Sequence, residues 1–67
     1  MIDYKKLWKL LIDKGMNKGD LAKATGIGQS TITKLAKCEN VNTIVLNKIC
    51  KYLKCNIEDI CEYVGEE

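Results

Sequence analysis

The sequence predicts an all-α fold of five short helices in a single domain spanning residues 1–67. Three observations carry that prediction. Apolar residues recur at i, i+3, i+4 and i+7, the period of a helix with one buried face. Helix-starting polar residues and helix-stopping glycines alternate along the chain. The composition is rich in Lys, Leu, Ile and Ala and contains no proline, a mix that favours helix and lacks its strongest breaker.

The elements follow in order. Asp3 is placed to N-cap a first helix whose stripe is Tyr4, Leu7, Trp8 and Leu11. Gly15 closes it as a left-handed C-cap. Asn17, with Asp20 three residues later, is a capping-box variant that opens a second helix. That helix runs to about Thr25, buries Leu21 and Ala22, and is closed by Gly26. A third helix begins after Gly28 and reaches about Lys37, with Ile32, Leu35 and Ala36 on one face. Residues Glu39 to Asn42 form a polar loop. Asn42 or Thr43 then caps a fourth helix to about Leu53, its stripe formed by Leu46, Ile49, Cys50 and Leu53. Asn56 caps a fifth, with Asp59 again three residues on and Ile57, Ile60, Cys61 and Val64 as its apolar positions. Ile44 and Val45 are β-branched but lie within a helical period, and no run reads as a strand.

A chain of 67 residues buries only about 60% of the surface its unfolded form exposes. A surface function is therefore expected rather than chemistry in an enclosed pocket. The net charge of +2 conceals an asymmetry. Residues 1–37 hold eight lysines against Asp3, Asp13 and Asp20, a balance of +5. Residues 38–67 hold three lysines against Glu39, Glu58, Asp59, Glu62, Glu66 and Glu67, a balance of −3. A basic half suggests a face that meets an anionic partner. Lys5, Lys6 and Lys9 read as solvated, and Tyr4 and Trp8 as core. The opening MIDYKKLWKLLIDK has an acid at position 3 and no apolar run long enough for a signal peptide or a membrane span. A cytoplasmic location is the expectation.

Cys38, Cys50, Cys55 and Cys61 are spaced C-x11-C-x4-C-x5-C, with no close C-x2-C pair and no histidine in the chain. Structural zinc sites use close pairs, so neither metal nor cofactor is expected. Cys50 and Cys61 fall on apolar stripes, where a thiol acts as a small hydrophobe. The absence of histidine, of a phosphate-cradling loop and of a paired acid constellation argues against an enzyme.

The third helix carries the functional signal. Two short helices joined by ATGIG form a helix-turn-helix candidate. Ala22 allows a close crossing, Gly26 supplies the sharp turn and Ile27 plugs the core. Ile32 and Leu35 dock the third helix, leaving its other face for a major groove. There Gln29 can bond adenine N6 and N7, Ser30 can donate or accept, and Lys34 can reach guanine or a phosphate. The start of the second helix, with Lys18, suits a phosphate.

The stretch NKGDLAKATGIGQSTITKL resembles the Cro/repressor (XRE-type) helix-turn-helix family. The match lies in its LA pair, turn glycine, apolar turn residue and later Ile and Leu. The five-helix layout extends the resemblance over nearly the whole chain. GIGQS is especially similar to the same stretch of the lambda phage repressor. The resemblance implies a lambda-repressor-like fold and a sequence-specific, double-stranded-DNA-binding transcriptional regulator, expected to be a repressor. It implies base contacts by Gln29 and Ser30 and a place near the DNA for Asn40. Thr33 and Lys34 complete the candidate base-reading set. Asn17, Lys18, Thr31, Lys37, Asn40 and Asn42 form the candidate backbone-contact set.

There are departures. Lys18 stands where the lambda repressor has the glutamine that braces its recognition glutamine, and lysine has no acceptor. Leu11 and Ala36 stand where many relatives have an Arg–Glu pair, so an apolar contact is expected instead. Cys38 occupies a usual C-cap glycine position, where a thiol is expected to be less buried and more reactive than the others. Family members mostly bind as dimers, and Leu10, Ile12, Tyr63 and Val64 are candidates for a homodimer surface, formed at least on DNA. The competing readings are a protein-interaction module or antitoxin on the same scaffold, and a thiol sensor or small metal protein.

Overall fold

The computed structural model describes residues 1–65. Glu66 and Glu67, two of the acids in the acidic half, lie outside the described residues. Four α-helices run in chain order: α1 (Lys5–Asp13), α2 (Lys18–Thr25), α3 (Gln29–Ala36) and α4 (Thr43–Leu53). A two-residue strand precedes them, β1 (Ile2–Asp3), and a 3-10 turn (Ile57–Asp59) and a second strand, β2 (Glu62–Tyr63), follow. The fold is mostly helical, with α2 packed against both α3 and α4 and α1 against the 3-10 turn.

Local signals account for the helix boundaries. Asn17 Oδ1 accepts the Asp20 N–H at 2.8 Å, and the Asp20 carboxylate accepts the Asn17 N–H at 3.1 Å. This reciprocal box satisfies two donors at the start of α2. Asn42, rather than Thr43, caps α4, its Oδ1 accepting the Ile44 N–H at 2.8 Å. Gly15 follows α1 at φ +69°, with the Met16 N–H reaching back to the Leu11 carbonyl at 2.9 Å. Asp3 acts at the start of α1 from one residue further out than a standard N-cap. Tyr4 is the flanking residue, and Asp3 Oδ1 accepts the Lys5 N–H at 3.0 Å.

The core is formed by Tyr4, Leu7, Leu11, Leu21, Ile27, Ile32, Leu35, Ile49, Leu53 and Ile60, all buried. Trp8, Ala22, Leu46 and three cysteines, Cys50, Cys55 and Cys61, pack around it partly buried. All four thiols, Cys38 included, are free and half-buried, so Cys38 is in the same burial class as the others. Burial, and then the neighbouring Cys50, pushes the Cys55 and Cys61 thiols up from their ordinary value. Burial likewise pushes up the Tyr4 phenol.

The C-terminal segment departs from the expected fifth helix. One 3-10 turn forms after Asn56, with the Asp59 carboxylate accepting the Asn56 N–H at 2.9 Å. The chain then extends, and β2 pairs antiparallel with β1, Ile2 opposite Tyr63 and Asp3 opposite Glu62. The Val64 N–H adds a bond to the Met1 carbonyl at 2.8 Å. The apolar spacing that suggested a helix is not a buried stripe, because only Ile60 is fully buried while Ile57 and Val64 are exposed. A single isolated turn gains little from helical propagation, and the ladder to β1 satisfies the backbone instead.

Candidate nucleic-acid interface

The interface is built from the turn between α2 and α3. Gly26 sits in the left-handed region at φ +75°, ψ 12°, its N–H donating to the Ala22 carbonyl at 2.9 Å. Thr25 Oγ1 donates to the Leu21 carbonyl at 2.7 Å and accepts the Ile27 N–H at 3.4 Å. Ile27 is thereby turned inward and buried. Gly28 then enters α3 in extended backbone, φ −66°, ψ 151°, with no side chain to cap the helix start. The positive end of α3 therefore carries no side-chain acceptor from its N-cap.

Ile32 and Leu35 are buried and fix α3 to the core. Gln29, Ser30, Thr33 and Lys34 are all exposed on the same short helix. Among the described residues, the side chains of Gln29, Ser30 and Lys34 make no hydrogen bond or ion pair within the chain. Their polar groups are available to a partner. Thr33 differs, because its hydroxyl donates to the Gln29 carbonyl at 3.0 Å. Its oxygen keeps acceptor capacity, so Thr33 can meet a donor on a base edge but has spent its own proton.

Ala36 does not share the buried face. It is exposed while Leu11 is buried, so the pair is not a buried apolar substitute for an ion pair. The end of α3 is closed by Cys38 at φ +58°, a left-handed position filled here without glycine. Its N–H donates to the Leu35 carbonyl at 3.1 Å, and the Glu39 N–H to the Lys34 carbonyl at 2.9 Å. The Cys38 thiol lies 3.7 Å from Asp3 Oδ1, linking the end of α3 to the start of the chain.

The backbone-contact candidates are distributed over three elements. Asn17 and Lys18 begin α2, Thr31 lies half-buried on α3, and Lys37, Asn40 and Asn42 follow α3, exposed. The Asn17 and Asn42 side-chain oxygens are committed to capping, which leaves their amide N–H groups as the donors for an anion. The dimer candidates are distributed as well. Ile12 and Tyr63 are strongly exposed, on α1 and β2 respectively, whereas Leu10 is only partly exposed.

The start of α2 also makes a contact that no local pattern in the sequence signals. Lys18 Nζ lies 4.6 Å from the centroid of the Trp8 ring. The partners belong to different helices and share no periodic signal, so only tertiary packing reveals the pair.

The Cro/C1-type HTH DNA-binding domain family matches residues 6–66. This chain belongs to that family. The family's DNA-binding role thus falls on a molecule whose α3 already presents a hydrogen-bonding face beside a buried anchor. The chain is also similar to a crystal structure of the transcriptional regulator VanUg, with a TM-score of 0.93 and 52% identity over 97% of this chain and 87% of that one. No curated protein matches the sequence. No helix among the described residues is long and apolar enough to cross a membrane.

Proposed function

We propose that this Cro/C1-type domain is a sequence-specific transcriptional regulator that acts as a repressor, reading the major groove with α3. Gln29, Ser30, Thr33 and Lys34 meet base edges. Asn17, Lys18, Thr31, Lys37, Asn40 and Asn42 meet the sugar–phosphate backbone on either side. The observation that carries this reading is the division of α3 into two faces. Ile32 and Leu35 are buried, while the polar residues are exposed at the helix start, directly after the left-handed turn at Gly26. The similar regulator VanUg supports a role in transcription.

In this reading residues 1–67 act as one domain in the cytoplasm, bind double-stranded DNA, and require neither cofactor nor catalytic chemistry. Two copies pair at least on DNA, so the preferred site has two half-sites about one helical turn, 10–10.5 bp, or a multiple apart. Occupancy of such a site blocks transcription.

Selection from random DNA followed by mobility shift tests the proposal. Gln29→Ala should weaken binding to the selected site by about 1–3 kcal/mol and relax preference at one base pair. Lys37→Ala should weaken all sequences alike and lower the salt dependence. An unchanged site preference in Gln29→Ala would remove Gln29 as a base reader. Failure of any DNA to bind, with a protein partner captured at α3, would favour an interaction module.

A further inference from the structure

Lysine beside a helix start is ordinary, but Lys18 is held in an unusual way. Its ammonium lies over the Trp8 ring, 4.6 Å from the centroid, well inside the range of about 6 Å for cation–π attraction. Trp8 is itself fixed, partly buried against the core from α1. The two residues line a groove of about 540 Å³ together with Leu11, Ile12, Met16 and Asn17. Lys18 makes no ion pair among the described residues. Asp20, two residues away, has its carboxylate committed to the Asn17 N–H.

That difference matters for an anionic ligand. A carboxylate partner would hold the lysine and cancel its charge. An aromatic face holds it and leaves the full charge in place, and the N–H donors that do not face the ring remain for a ligand. An immobilised lysine also loses less rotamer freedom when it meets a ligand. From these observations we propose that Trp8 is a positioning residue for DNA binding, holding Lys18 at the start of α2 for a backbone phosphate. The inference rests on the DNA-binding reading given above. It also accounts for Lys18 at a position where a glutamine could brace Gln29: this side chain is held by α1 and serves the backbone.

The test is a double-mutant cycle on the selected DNA site across a range of salt concentrations. Trp8→Leu should weaken binding to every sequence by about two- to five-fold, the range expected from an exposed cation–π pair. It should also reduce the salt slope towards that of Lys18→Ala, which loses about one unit. The double variant should bind no worse than Lys18→Ala alone, and Trp8→Phe, which keeps a ring, should restore most of the affinity. Multiplying effects in the double variant, or a Trp8→Phe as weak as Trp8→Leu, would overturn the proposal.

Should Trp8→Leu fail to fold, fluorescence of the intact core gives the answer. Trp8 is the only tryptophan in the chain, so its emission should shift when DNA binds the wild type. The shift should be lost in Lys18→Met, which keeps the aliphatic stem without the charge. An equal shift in Lys18→Met would refute the coupling. Loss of DNA binding in the wild type would instead refute the function reading, and this inference with it.

Discussion

Gly26 and Gly28 flank Ile27 symmetrically in GIG, yet the structure gives them different sensitivities to alanine. Gly26 lies at φ +75°, and a methyl group built there meets no atom within 4 Å. Its cost is therefore purely conformational, about 1–2 kcal/mol for an L-residue in the left-handed region. The stiffer unfolded chain returns about 0.4–1 kcal/mol. Gly26→Ala should thus destabilise by about 1 kcal/mol, lowering Tm by about 4–8 °C in a domain of this size. Gly28 lies at φ −66°, ψ 151°, open to any residue, and its added methyl would meet only Ser30 Oγ at 4.0 Å. Gly28 is also the N-cap of α3, where alanine is a poorer cap than glycine. In Gly28→Ala that loss offsets the unfolded-state gain of about 0.4–1 kcal/mol, and the net change should stay within about 0.5 kcal/mol. Urea unfolding of the two variants, with unchanged m values, measures both. Gly26→Asn should fall between Gly26→Ala and wild type, because Asn tolerates the left-handed region. Equal losses at Gly26 and Gly28, or a neutral Gly26→Ala, would refute the reasoning.

Further expectations concern packing, capping and pH. Leu35→Ala, at a fully buried position, should cost about 2–5 kcal/mol, whereas Ala36→Gln on the exposed neighbour should stay within about 0.5 kcal/mol; thermal melts separate them. Asn17→Ala removes the acceptor of the Asp20 N–H and should cost about 1 kcal/mol in the same assay. Tyr4, Cys55 and Cys61 are all raised above their ordinary values by burial first. Above pH 9.0, the ordinary thiol value, the unfolded chain gives up protons that the folded one still holds. Stability should therefore be unaffected by these groups at neutral pH and fall as pH rises through 9 and beyond, and a Tm that rose over that interval would contradict their burial.

Much of the candidate interface was legible because its signals are local. The Asn17–Asp20 box closes within three residues, the turn needs one residue at positive φ, and Ile32 and Leu35 lie three apart on one helix. The hydroxyl of Thr33 was harder to read, since its bond to the Gln29 carbonyl depends on a rotamer. Ala36 was misplaced because a small apolar residue near a helix end satisfies the period without being covered.

Legible in the sequence alone were the four α-helices, the Asn17 cap of α2, the turn at Gly26 and the polar face of α3, whereas the expected fifth helix and Asp3 N-cap did not form. The legible features rest on backbone bonds and propensities between residues within a turn of one another. Only the tertiary structure decided the C-terminal segment, where β2 is too short for an alternation and its partner β1 lies at the other end of the chain. Only the tertiary structure, too, set Lys18 over Trp8 and the Cys38 thiol near Asp3. Contacts of that kind depend on how finished helices pack, and no local period encodes them.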